Sequence, residues 1–95
     1  MSRRVRVREV LSFLGVEDAG LLESLREEGL FEAEELGPEE AEQLRVAAVL
    51  MTDLGVNAAG VEVVLRLRQR LLTLQGASEA ALRRALGERP PDTRS

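Results

Sequence analysis

Glycine residues divide this chain at short intervals, and this feature limits its fold more than any other. Gly15, Gly29, Gly37 and Gly55 separate segments that are rich in Leu, Ala, Val, Glu and Arg, a composition that favours helices. Because glycine readily adopts the left-handed conformation that ends helices, these glycines are predicted to separate successive helices. A chain of 95 residues has room for one small domain plus one long helix.

The first third of the chain is predicted to form a helix-turn-helix. Residues 3–8 alternate arginine with valine, which is the period of a short half-buried strand or an extended arm. The apolar spacing then becomes helical and stops at Gly15. Glu17 or Asp18 can cap a second helix, which is predicted to end at Gly29. Two short helices joined by a tight turn have the outline of a helix-turn-helix.

A third helix is predicted to start at Gly37 and Pro38 and to run to Gly55. Proline suits the first helical position, and the carboxylates that follow it suit the positive end of the helix dipole. From Leu44 onward the segment is apolar on most sides. We therefore expect this helix to be the most buried element.

The fourth helix is predicted to start at an Asn57 cap and to continue to about Gln75. Gly76 should interrupt it, and Ser78 should cap a last short helix that ends at Gly87. One face of the long helix carries the three-four spacing of a coiled-coil seam, at Val64, Leu67, Leu71 and Leu74.

Such a seam is explained by core packing or by contact with a second copy of the chain. The preceding segments form too small a body to cover the whole helix, so we expect an intermolecular seam toward its end and a homodimer. The predicted organisation is a head at residues 1–56, a dimerisation helix plus a short helix at 57–87, and a disordered tail with two prolines at 88–95.

The residue types that are missing exclude most catalytic chemistry. The chain has no cysteine and no histidine, so it can build no zinc finger, disulfide, thiolate nucleophile or histidine base. No calcium-loop spacing is present, and we expect neither an enzyme nor a bound cofactor. No apolar run resembles a signal peptide or a membrane span, which makes a cytoplasmic protein the expectation.

The formal charge of −4 is strongly segregated along the chain. Residues 1–16 carry +3, residues 17–42 carry −10, and residues 43–95 carry +3. An acidic block of this kind is either a solvated face or a docking surface for a basic partner.

Several short motifs occur in an order that resembles a known family. They are the basic N-terminal segment, a helix-turn-helix at 9–29 with Leu-Gly-Val at its turn, Gly-Leu-Phe at 29–31, and Asp-Leu-Gly-Val-Asn at 53–57 before a Leu-rich helix. Over about residues 5–74 they resemble a MerR-type winged-helix domain, and most closely the CbpM-like chaperone modulators. The fold class that this resemblance implies is all-α: a MerR-like head with a long Leu-rich helix, a short N-terminal strand and a degenerate wing.

The resemblance also implies a function. CbpM-like proteins bind the J-domain of a DnaJ-like or CbpA-like co-chaperone and regulate its interaction with DnaK, which is a possible second partner. J-domains carry a basic helix, so acidic residues suit this partner by charge complementarity. The expected contacts are Glu27, Glu28, Glu32, Glu34 and Glu35.

Three alternatives stay open: an assembly factor that bridges DnaK and DnaJ, a MerR-type DNA-binding transcriptional regulator, and a purely structural dimerisation module. A DNA reader needs basic side chains on its second helix and wing. This chain carries carboxylates there, which phosphates would repel by up to about 1 kcal/mol per close pair in water. Only the arginines at 3, 4, 6 and 8 favour DNA.

Overall fold

The prediction of a mainly helical chain is confirmed. The computed structural model describes residues 3–87, and the tail predicted to be disordered, 88–95, lies outside them. Within the described residues, four helices accompany a two-stranded sheet in the order β1 (Val5–Arg6), α1 (Val7–Phe13), α2 (Ala19–Glu27), β2 (Glu35–Leu36), α3 (Pro38–Thr52) and α4 (Ala58–Ala85).

The sheet joins the basic N-terminal segment to the end of the acidic block. β1 pairs antiparallel with β2, with Val5 opposite Leu36 and Arg6 opposite Glu35. Of the alternating segment only β1 is a strand, because Val7 already begins α1 and is completely buried. The segment predicted as a degenerate wing therefore ends in a strand that pairs with the N-terminus of the chain.

Two glycines end the first two helices in the same way. Gly15 and Gly29 have φ angles of 76° and 82°, which side chains other than glycine rarely tolerate. After α1, Val16 N–H donates to the Leu11 carbonyl, and after α2 the corresponding bond joins Leu30 to Leu25. These are the long hydrogen bonds of the Schellman motif, and they confirm both predicted helix ends.

The core lies in the first of two compact units, Met1–Leu65, whereas the second unit is Arg66–Ser95. The start of α4 thus belongs to the first unit, although the sequence analysis placed it with the dimerisation helix. The core is built from side chains of α1, α2, β2, α3 and the start of α4 together with Phe31, and it contains Val7, Leu11, Leu21, Leu22, Leu25, Phe31, Leu36, Leu44, Ala47, Ala58, Val61 and Leu65.

The start of α3 is confirmed, but its burial is not as predicted. Gly37 N–H donates to the Glu40 carboxylate at 3.2 Å, and Pro38 is the first helical residue. The helix ends at Thr52, three residues before Gly55, and it buries three residues, as many as the shorter α2. The prediction that α3 is the most buried element is therefore wrong, because one of its faces is polar or exposed along the whole helix.

The predicted cap of α4 is confirmed, and its predicted interruption is wrong. Gly60 N–H donates to Asn57 Oδ1 at 2.7 Å. The helix then passes through Gly76 without a break, so Ser78 lies inside it and caps no separate helix. A glycine inside a helix costs only about 1 kcal/mol relative to alanine, and the Ala, Leu, Glu and Arg residues on both sides offset that cost.

Candidate functional site

The five carboxylates singled out from the sequence lie around the junction between α2 and β2. Glu27 is the last residue of α2 and Glu28 is its C-cap. Glu32 and Glu34 follow in the connecting segment, and Glu35 begins β2. All five side chains are exposed. We call these five residues, Glu27, Glu28, Glu32, Glu34 and Glu35, the acidic edge.

Arg26 holds the two parts of the acidic edge together. Its Nε donates to the Phe31 carbonyl at 2.9 Å, and its Nη2 donates to the Ala33 carbonyl at 3.4 Å. The same nitrogen lies 3.8 Å from Glu34 Oε2. Since Arg26 directly precedes Glu27 in α2, these contacts hold the segment that carries Glu32 and Glu34 against the end of the helix.

The backbone of this segment is tightly constrained at Phe31. Phe31 has a φ angle of 54°, in the left-handed region, which costs a non-glycine residue about 1–2 kcal/mol. Its side chain is nevertheless buried in the core, and its carbonyl accepts the Arg26 hydrogen bond. Burial and hydrogen bonding together stabilise a backbone conformation that Phe31 would rarely adopt alone.

The basic N-terminal segment contacts the other side of the acidic edge. Arg4 Nη2 donates to the Glu35 carbonyl at 3.0 Å, and Val7 N–H donates to the Glu34 carbonyl at 2.9 Å. Arg6 is the strand partner of Glu35. Arg4 and Arg6, two of the four arginines considered for phosphate binding, thus lie next to the acidic residue Glu35 of the same chain, which lowers the positive potential that a phosphate would meet.

The electrostatics of the acidic edge leave much of its charge available. Glu34 lies near Arg26, but its side chain is still 72% exposed. Glu27, Glu28 and Glu32 form no ion pair with any residue in the described range 3–87. Exposed carboxylates without an internal partner are free to attract a basic surface.

Side chains that could bind a metal ion are not clustered in the described part of the chain. No group of three or more acidic side chains within residues 3–87 could hold a metal ion. Two open grooves, of about 280 and 380 Å³, share Asp18 in their lining. The Asp18 carboxylate accepts from Gly20 N–H at 2.9 Å, so it confirms the predicted cap of α2 and serves as a structural group.

The residues of the predicted seam lie along α4, and they are not covered by the described chain. The exposed fractions of Val64, Leu67, Leu71 and Leu74 are 37%, 54%, 60% and 61%. Farther along the helix, Leu82 and Leu86 are 59% and 66% exposed. None of the helices in residues 3–87 is both long and apolar enough to cross a membrane.

Arg26 is the residue of the candidate site that sequence reasoning missed, because helical spacing places it outside the apolar stripe of Leu21, Leu22 and Leu25 in α2. The structure instead leaves that side chain only 25% exposed. A signal was present in the sequence, since Arg26 is the single basic residue among eleven acids in 17–42. A lone arginine in an acidic block indicates a local structural role.

The chain matches no protein family model, no curated protein and no solved structure.

Proposed function

We propose that this chain binds the J-domain of a DnaJ-like co-chaperone through the acidic edge and thereby regulates the interaction of that J-domain with DnaK. The observation that carries the proposal is the acidic edge itself, in which three carboxylates without an internal ion pair lie on a braced backbone. The likeness of the sequence motifs to CbpM-like modulators and to a MerR-like head supports this choice of partner.

A surface that is already ordered in the free protein binds a partner at a lower cost in free energy than a flexible one. Ordering a flexible loop at an interface costs free energy that must be taken from the contacts made. The hydrogen bonds of Arg26 and the pairing of β1 with β2 already order residues 31–36 in the free protein. Opposite charges would speed the encounter with a basic helix, while apolar contacts would hold the complex.

DNA is the less favourable partner on the same grounds. The second helix of the predicted helix-turn-helix carries Glu23 and Glu27 and ends at the C-cap Glu28, and the following segment adds three more carboxylates. Arg4 is already bonded to the Glu35 carbonyl. A duplex approaching this face would therefore meet more negative than positive charge.

The experiment is a binding titration of the full chain against a purified J-domain of a DnaJ-type co-chaperone. The test variant is E27Q/E28Q/E32Q, which removes three charges that support no internal ion pair. The matched control is E17Q/E39Q/E79Q, which changes the net charge equally at exposed sites elsewhere. We expect the test variant to weaken binding by about tenfold, since each exposed pair contributes roughly 0.2–1 kcal/mol, and the control to bind as the parent chain does.

Two results would count against this proposal. No binding of the parent chain to the J-domain would refute the function, and salt-sensitive binding to duplex DNA instead would favour the regulator. Unchanged J-domain binding after all five acidic-edge residues are replaced by lysine would refute the surface. Adding the chain to a J-protein-stimulated DnaK ATPase assay then separates an inhibitor, which lowers the stimulation, from a bridging assembly factor, which need not.

A further inference from the structure

We propose that α4 carries a second docking surface, on residues 67–86, whose partner is an acidic amphipathic helix of another protein. This surface, which we call the basic helix face, belongs entirely to the second unit. Its apolar centre consists of Leu67, Leu71 and Leu74, and its charged flanks are Arg68, Arg70 and Arg84. The proposal is independent of J-domain binding by the acidic edge.

The length of the apolar seam follows from the continuity of α4. Because the helix does not break at Gly76, the three-four spacing of Leu67, Leu71 and Leu74 extends through Ser78 and Ala81 to Ala85. In heptad terms these six residues are the a and d positions of a seam. A seam of this length needs a covering helix, since its leucines are more than half exposed.

The side chains that flank the seam are positively charged. The flanking e and g positions, which choose the partner in coiled coils, carry Arg68, Arg70 and Arg84 and no acid. None of these three arginines forms an ion pair with a residue between positions 3 and 87. Residues 66–87 hold five arginines against Glu79 alone, so the charge-complementary partner is a helix with acids at its flanks.

Two other possible occupants of this face are a second copy of the chain and an anionic lipid surface. A second copy of the chain would bring only Arg, Gln, Ala and Leu to the same flanks, so it would leave the three arginines without a carboxylate. An anionic lipid surface also accepts a helix with leucine on one face and arginine on the other, so the vesicle experiment below distinguishes lipid from the acidic helix. The small side chains of Ser78, Ala81 and Ala85 leave room for bulkier residues of a facing helix.

The test uses the full chain and two synthetic three-heptad peptides as probes. Both peptides have leucine at a and d; one has glutamate at e and g, and the other has lysine there. Fluorescence anisotropy of each labelled peptide should show that the glutamate peptide binds at least about tenfold more tightly. The variant R68E/R70E/R84E should reverse this preference, and L71D/L74D should abolish binding of both peptides.

A matched control separates the basic helix face from charge in general. The variant R3E/R8E/R83E changes the net charge by the same amount at arginines away from the seam, and it should keep the parent preference. Far-UV circular dichroism shows whether each variant keeps its helix content. If L71D/L74D loses helix, R68E/R70E/R84E still decides the question, because its leucines remain.

Each of the following results would overturn the proposal. If the two peptides bind equally, or if the two arginine variants have equal effects, the arginines beside the seam do not select the partner by charge. If the chain sediments as a dimer, does not bind the glutamate peptide and becomes monomeric in the L71D/L74D variant, the seam is an interface with a second copy. Binding to phosphatidylcholine vesicles with about 30% phosphatidylserine, without binding to the peptide, would assign it to lipid.

Discussion

Replacing Arg26 by methionine should destabilise the first unit and loosen the acidic edge. Methionine keeps an unbranched apolar chain but removes every donor of the guanidinium. The bond from Nε to the partly buried Phe31 carbonyl contributes about 1.5 kcal/mol, as charged donors do. The longer contacts with Ala33 and Glu34 are exposed and add roughly 0.5 kcal/mol.

The total is about 2 kcal/mol, which corresponds to a decrease in Tm of about 8–16 °C for a domain of this size. The assay is thermal unfolding followed by circular dichroism. R26K should lie between the parent and R26M, since an ammonium keeps the charge but cannot reproduce the planar fork of donors. The R26M variant should also bind the J-domain more weakly, because residues 31–34 would have to be ordered on binding.

Arg45 provides the matched control. It pairs with Glu42 on the exposed surface of α3, and the hydrogen bond and the charge of Glu42 both raise the pKa of Arg45. Solvent screens such a pair, so R45M should leave Tm unchanged. A change in Tm for R26M of less than about 2 °C, or an equal change for R45M, would refute the bracing role assigned to Arg26.

Three further substitutions test the fold. D18A should lower the free energy of unfolding in denaturant by about 1 kcal/mol, the usual value of a helix N-cap, and D18N should restore most of it. L25A removes a side chain that is 0% exposed and should cost about 2–5 kcal/mol; a cost below about 1 kcal/mol would mean that Leu25 is not in the core. G76A should instead increase the helix content of α4 and its stability by about 0.5–1 kcal/mol, since the added Cβ would meet no side chain and no backbone beyond its own helical turns within 4 Å. A loss of helix would contradict the continuous α4.

Part of the candidate site could be predicted from the sequence because the acids cluster along the chain. The acidic block marks residues 17–42, the resemblance selects five of its eleven acids, and exposed carboxylates are the normal state of such residues. The bracing by Arg26 could not be predicted, since helical periodicity cannot tell whether an arginine turns back onto its own chain. The strand pairing that places Arg6 opposite Glu35 could not be predicted either, because β1 is only two residues long.

The seam of α4 could also be predicted only in part from the sequence. The spacing of its leucines was readable in the sequence, but its length depended on whether Gly76 ends the helix. A glycine both permits a helix end and tolerates a helix interior, and the choice depends on the residues around it. Only the continuous helix brings Arg84 into the same register as Arg68 and Arg70.

The sequence by itself determined where α1 ends and where α2 starts and ends, through Gly15, Asp18 and Gly29. Caps and left-handed glycines act over a few residues, so their chemistry is visible in a local segment. The tertiary structure alone decided that Arg4 reaches Glu35, 31 positions away, and that Arg26 braces the segment carrying Glu32 and Glu34. Such contacts depend on how the core brings distant parts of the chain together, which no local pattern encodes.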